Sequence, residues 1–147
     1  MRRAARYGKQ IQIPWPTESQ IRDLLVPQLD ETNREWQGHA EIGLLLYAGI
    51  LPTGSPSMVE AAKRYAHIEE VPVVAEGGQR LRERTEKDET PIFPVGTAEQ
   101  CAGAIERAYS AGARHFVLDF GRHGCDGASV YRTEMQRFAE QVFPRLM

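Results

Sequence analysis

The chain has 147 residues, 41% of them hydrophobic and 26% charged, and carries a net charge of −2. That balance supplies enough apolar material for one core and implies a single domain over residues 1–147. It excludes a basic nucleic-acid-binding surface, since Lys and Arg are scattered and not in excess, and no apolar run approaches the roughly 20 residues of a bilayer span.

Met1 to Tyr7 has the pattern of the last two turns of a helix closed by Gly8, and "MRRAARYGKQ" lacks the apolar segment of a signal peptide. "QIQIPW" alternates Ile11, Ile13 and Trp15 as a strand does, and prolines 14 and 16 end it. Thr17 and Gln20 stand at capping-box spacing ahead of a helical face formed by Ile21, Leu24 and Leu25. Pro27 kinks or splits that helix, because an interior proline costs about 3 kcal/mol. The helical pattern resumes weakly to Trp36. Gly38 and His39 make the turn into "EIGLLLYAGI", a continuous apolar strand.

Ser57 and Glu60 cap the next helix, with Met58, Ala61, Ala62, Tyr65 and Ala66 on its apolar face. Residues 71–96 break the rhythm with "VPVVAEGG", a charged "QRLRERTEKDE" that suits a surface helix, and "TPIFPVG". Thr97 and Gln100 form another capping box. Ala98, Cys101, Ala102, Ile105, Ala108 and Tyr109 then make one apolar stripe, and Gly112 stops the helix. "HFVLDF" predicts a strand buried on both faces, as in a parallel sheet. The loop "GRHGCDGAS" leads to a final helix with Tyr131, Met135, Phe138, Ala139, Val142 and Phe143 on one side. Cys101 on a helix stripe and Cys125 in a loop do not form a disulfide framework, so a reducing, cytoplasmic setting is expected.

Strand and helix alternate, which implies parallel strands joined by crossovers with helices packed outside. About three parallel strands are expected, near 10–15, 42–50 and 115–120. A solitary sheet of that size leaves two apolar edges open to pairing.

Three segments, "RRAARYG", "GTAEQCAGAIERAYSAGARHFVLDF" and "EMQRFAEQVFPRLM", resemble the C-terminal part of luciferase-like monooxygenases, in the right order and near the expected spacings. The resemblance is weakest over 27–40 and 68–94, and it implies a long, irregular and exposed insertion over 71–96 ahead of the last barrel unit. It implies an α/β fold, a partial (β/α)8 TIM barrel of which this chain forms the C-terminal portion, and a cofactor that is FMN or the deazaflavin F420. A whole barrel needs about 250 residues. The family's glycine-rich phosphate loop and its early strands would lie before Met1.

Barrel sites are built at the C-terminal ends of the strands. The loops expected there are Trp15 to Thr17, Pro52 to Ser55 and Gly121 to Ser129. Trp15 has the ring to stack on a flavin, although a tryptophan ending a strand also serves as a core lid. Thr17 is able to donate to a phosphate at a helix N-terminus, a role that competes with its duty as a cap. Gly54 and Ser55 need be no more than a turn. Arg122 offers a fork suited to phosphate, and His123, the candidate catalytic residue, exchanges protons near neutral pH; a solvated turn is the alternative for both. "DFG" lacks the other segments of a kinase. His123, Cys125 and Asp126 lack a second ligand cluster, so no metal is expected.

The resemblance therefore implies a flavin- or F420-dependent oxidoreductase that needs a partner, a second copy or a second chain, to supply the missing barrel half. The alternative is a non-catalytic remnant serving as a binding or assembly module. Strand Ile11 to Trp15 is the expected contact, and the isolated chain is expected to bind FMN weakly or not at all.

Overall fold

A computed structural model describes residues 1–51, 91–120 and 128–146, with 128–130 as backbone only. The expected helix from Ser57, the turn at Gly54 and Ser55, most of the 71–96 segment and the loop holding Arg122, His123 and Cys125 lie outside the described residues.

Helix α1 (Arg2–Tyr7) ends where the Gly8 N–H donates to the Ala4 carbonyl. Strand β1 (Gln10–Pro14) follows. The capping box at Thr17 starts a helical run as expected, but its first part, Gln20–Leu25, is wound as a π-helix before α2 (Val26–Trp36) takes over. Pro27 sits in the first turn of α2, where a missing N–H costs little, and the Val26 N–H reaches back to the Ile21 carbonyl. The predicted split at Pro27 is thus a change of winding.

The left-handed residue ending α2 is Gln37, at φ 52°, and not Gly38. Gly38 is needed for a different reason: a Cβ there would lie 2.0 Å from the carbonyl oxygen of Ala5. Helix α1 therefore rests on the end of α2, and the Arg6 guanidinium lies 4.9 Å over the Trp36 ring. The amide of Asn33 closes the turn, donating to the Ala40 carbonyl at 2.9 Å and accepting the Ala40 N–H at 3.1 Å.

Strand β2 (Glu41–Tyr47) is central, with β1 on one side and β5 (Ala113–Asp119) on the other, both parallel to it. All three expected strands thus lie parallel in one sheet. Past Ala48 the apolar run changes partner. Strand β3 (Gly49–Ile50) pairs in parallel with β4 (Val95–Gly96), and the Ile92 N–H donates to the Pro16 carbonyl. Residues Ile92 to Gly96 are buried, which corrects the expected exposed insertion at its C-terminal end. The short ladder escaped notice because "TPIFPVG" shows neither alternation nor length.

Helix α3 (Ala98–Ala111) opens with the predicted capping box at Thr97 and ends at Gly112, φ 119°. Its small residues let it approach the sheet closely. Ala104, Ala108 and Ala111, with Ile21, Leu25 and Leu29, pack against Ile42, Leu44, Leu46 and Ala113. Tyr109 is not part of the buried stripe; it is 56% exposed and carries the Arg114 guanidinium at 4.6 Å. Helix α4 (Ala128–Gln141) contributes Phe138 to a second core with Ala48, Ile50, Cys101, Phe120 and Val142. Tyr131, Met135 and Phe143, expected on its buried side, are exposed.

Helices cover one face of the sheet, and among the described residues none covers the other, the open face. Pairing sets Gln12, Gly43 and His115 in one row across the open face, and Pro14, Leu45 and Val117 in the next. Gln12, Pro14, His115 and Val117 are exposed, Val117 by 45%. The expectation that β5 is buried on both faces therefore fails. Ile11 and Ile13 point the other way and are half-buried against the helix-side core.

Candidate ligand site at the strand ends

Trp15 leaves β1 between two prolines with its backbone at φ 48°, a left-handed conformation that costs a non-glycine residue about 1–3 kcal/mol. Its N–H still donates to the Leu45 carbonyl, so the residue is held against β2. The indole stacks on Tyr47, the last residue of β2, with centroids 5.2 Å apart and planes inclined by 25°. Tyr47 shares the open-face side of β2 with Gly43 and Leu45, by alternation. Phe93, Val95 and Leu51 complete the cluster.

The indole Nε1 of Trp15 is buried and, among the described residues, has no hydrogen-bond partner. An unpaired buried donor costs about 1–3 kcal/mol. Two residues along, the polar groups are fully engaged. Thr17 is buried, its hydroxyl accepts the Gln20 N–H at 3.2 Å and contacts Ser19 Oγ at 3.2 Å, and Gln20 Oε1 accepts the Thr17 N–H at 2.9 Å. Thr17 thus acts as a cap. The contrast isolates Trp15: strain and an unmet donor meet in one residue at the end of the sheet where this kind of fold places its ligands.

Of the four residues proposed from the sequence, Trp15 and Thr17 stand at the end of β1, and Arg122 and His123, which follow β5 in sequence, lie outside the described residues. Tyr47 was missed. It closes a continuous apolar run, and only the alternation of β2 separates it from Leu44 and Leu46 on the helix side.

Cys101 lies just beneath the β3–β4 ladder. Its Sγ is 3.2 Å from the Pro94 carbonyl and 3.5 Å from that of Gly49, and burial pushes its pKa up to about 12. A thiol so placed is a packing group, not a nucleophile. A shallow groove along α4, lined by Tyr131, Met135 and Ala139, belongs to another element. Among the described residues no group of three His, Cys, Asp or Glu could hold a metal, and no helix is long and apolar enough to cross a membrane.

No protein-family profile and no curated protein matches the chain. Among solved structures it is similar to an F420-dependent secondary alcohol dehydrogenase in complex with an F420–acetone adduct. Identity is 18% and the TM-score 0.59, over 96% of this chain and 45% of that one. It is likewise similar to coenzyme F420-dependent tetrahydromethanopterin reductase from Methanopyrus kandleri, at 14% identity and TM-score 0.58, over 99% of this chain and 48% of that one. The chain spans slightly less than half the length of these enzymes. The likeness shows the fold: parallel strands and flanking helices forming part of a (β/α)8 barrel, as the sequence implied.

Proposed function

We propose that this chain is part of an F420-dependent oxidoreductase of the luciferase-like type, whose remaining barrel strands come from further polypeptide, a second copy or another chain. The observation that carries this reading is the aromatic pair Trp15–Tyr47 with its unmet donor at the strand ends of a fold similar to two F420-dependent enzymes. F420 is a hydride carrier with a planar ring bearing carbonyl acceptors. An indole N–H beside an aromatic stack fits such a ring, and FMN shares that chemistry. F420 is favoured because both similar structures are of F420-dependent enzymes. Arg122 is assigned to a phosphate or carboxylate of the ligand, and His123 to proton exchange, because both follow β5 directly in sequence. Monooxygenase chemistry rests on the sequence resemblance alone.

One observation favours the non-catalytic reading: the Thr17 hydroxyl, the described candidate for holding a phosphate, is committed to its own helix cap. The two readings separate by titration of F420 and, in parallel, FMN, followed by ligand fluorescence. Saturable binding of F420 that is stronger than that of FMN supports the oxidoreductase reading. No binding of either ligand, alone or when the chain is assembled, supports the assembly module.

A further inference from the structure

The two costs concentrated at Trp15 call for compensation that the described residues do not supply. An indole has one polar atom, a donor with no acceptor capacity, so whatever satisfies it must present an oxygen or nitrogen lone pair. Had the site needed only an apolar lid over Tyr47, a phenylalanine would have given the same stacking without an unpaired N–H. The left-handed backbone fixes which way the ring leaves β1, and stacking on Tyr47 holds its plane. A donor pre-set in this manner loses little entropy when an acceptor arrives.

We propose that the indole Nε1–H of Trp15 is a ligand-binding donor, and that its acceptor is a carbonyl oxygen of the planar heterocycle bound at the strand ends. The role differs from a stacking lid, because one face of the ring is already taken by Tyr47 and the polar edge is what remains unused. This inference rests on the F420-dependent reading of the site. It assigns to Trp15 the orientation of the heterocycle within its plane, since one hydrogen bond at a ring edge resists in-plane rotation in a way that stacking does not.

The chain holds two tryptophans, Trp15 and Trp36, and so gives two indole N–H resonances when labelled with ¹⁵N in the ring. Trp15→Phe identifies the Trp15 signal, and the Arg6-stacked Trp36 serves as an internal reference. Titration with F420 in large excess, and separately with FMN, is read on both signals and on the backbone amides. The expected result is a saturable downfield shift of the Trp15 indole proton with Trp36 unmoved, and affinity about tenfold or more weaker in Trp15→Phe. The thermal midpoint of Trp15→Phe is the folding control, because loss of an unpaired donor and loss of ring packing on Tyr47 and Phe93 act on it in opposite directions. If backbone amides near Tyr47 shift on binding while the Trp15 indole proton does not, or if Trp15→Phe binds as well as the parent chain, the donor role is overturned and the cofactor reading survives. If no resonance responds to either ligand, in the chain alone or when it is assembled, both fall.

Discussion

Nε2 of His115 on β5 and Oε2 of Glu41 on β2 lie 2.6 Å apart on the open face of the sheet, with side chains 44% and 50% exposed. A pair that well solvated contributes little, about 0–1 kcal/mol. Glu41→Gln should therefore shift the chemical-denaturation free energy of the isolated chain by less than about 1 kcal/mol. A larger loss would mean that the face is covered in solution, where a lone imidazole pays for lost water contacts.

The neighbouring Val117 tests the same face from its apolar side. Val117→Lys should lower self-association in sedimentation velocity and leave the melting temperature within a few degrees of the parent, because a residue 45% exposed contributes little to folding. Ile13→Lys should instead unfold the chain, since Ile13 packs against the helix-side core. A monomer at all concentrations for the parent and for Val117→Lys alike would remove the case for a partner on this face.

Gly38 and Gly103 form a matched pair of opposite sign. Gly38→Ala drives a methyl group into the Ala5 carbonyl oxygen, and overpacking of this kind costs about 1–3 kcal/mol. Gly103 lies inside α3, where the nearest atom to an added Cβ is the movable tip of Arg107 at 3.5 Å. Gly103→Ala should gain about 0.5–1 kcal/mol from helix propensity. Urea midpoints decide both, and equal effects would contradict the packing of α1 on α2.

Cys101 sets a pH dependence. Its folded pKa, raised to about 12 by burial, exceeds the value of 9.0 expected of a free thiol. The unfolded chain thus gives up the proton first as pH rises, and stability present below pH 9.0 is lost between there and about 12, by up to about 1.4 kcal/mol per pH unit. Thermal melts from pH 7 to 10.5 should fall more steeply for the parent than for Cys101→Ala. Parallel curves would show that the thiol ionises as easily folded as unfolded.

Much of this architecture was legible because it is local. Thr97 and Gln100 announce the start of α3, Thr17 and Gln20 the start of the π-wound turn, and both boxes form as their spacing predicts. Tyr109 and Val117 were misjudged because their burial depends on what stands opposite, which a period of 3.6 or 2 does not encode. β4 was missed because a two-residue ladder has no pattern of its own. At the site, Trp15 was visible as a ring at a strand end. The donor role proposed for it emerges only from the lack of a partner at Nε1 among the described residues, and its neighbour Tyr47 only from the alternation of β2.

Among the described residues every ladder is parallel, in the three-stranded sheet and in the short β3–β4 pair alike, and each joins segments far apart in the chain: Gln10 with Glu41, Ile42 with Ala113, Gly49 with Val95. None of these described strands pairs through a hairpin, so loop closure precedes each of their contacts, a topology that slows folding. During synthesis β2 emerges well ahead of β5, by on the order of ten seconds at ribosomal speed. For that interval Leu44 and Leu46 have neither α3 nor β5 to shelter them, and the nascent chain presents a raw strand edge at the tunnel exit. Chaperone capture of ribosome-bound chains should therefore peak after residue 47 emerges and end once 113–119 has joined the sheet.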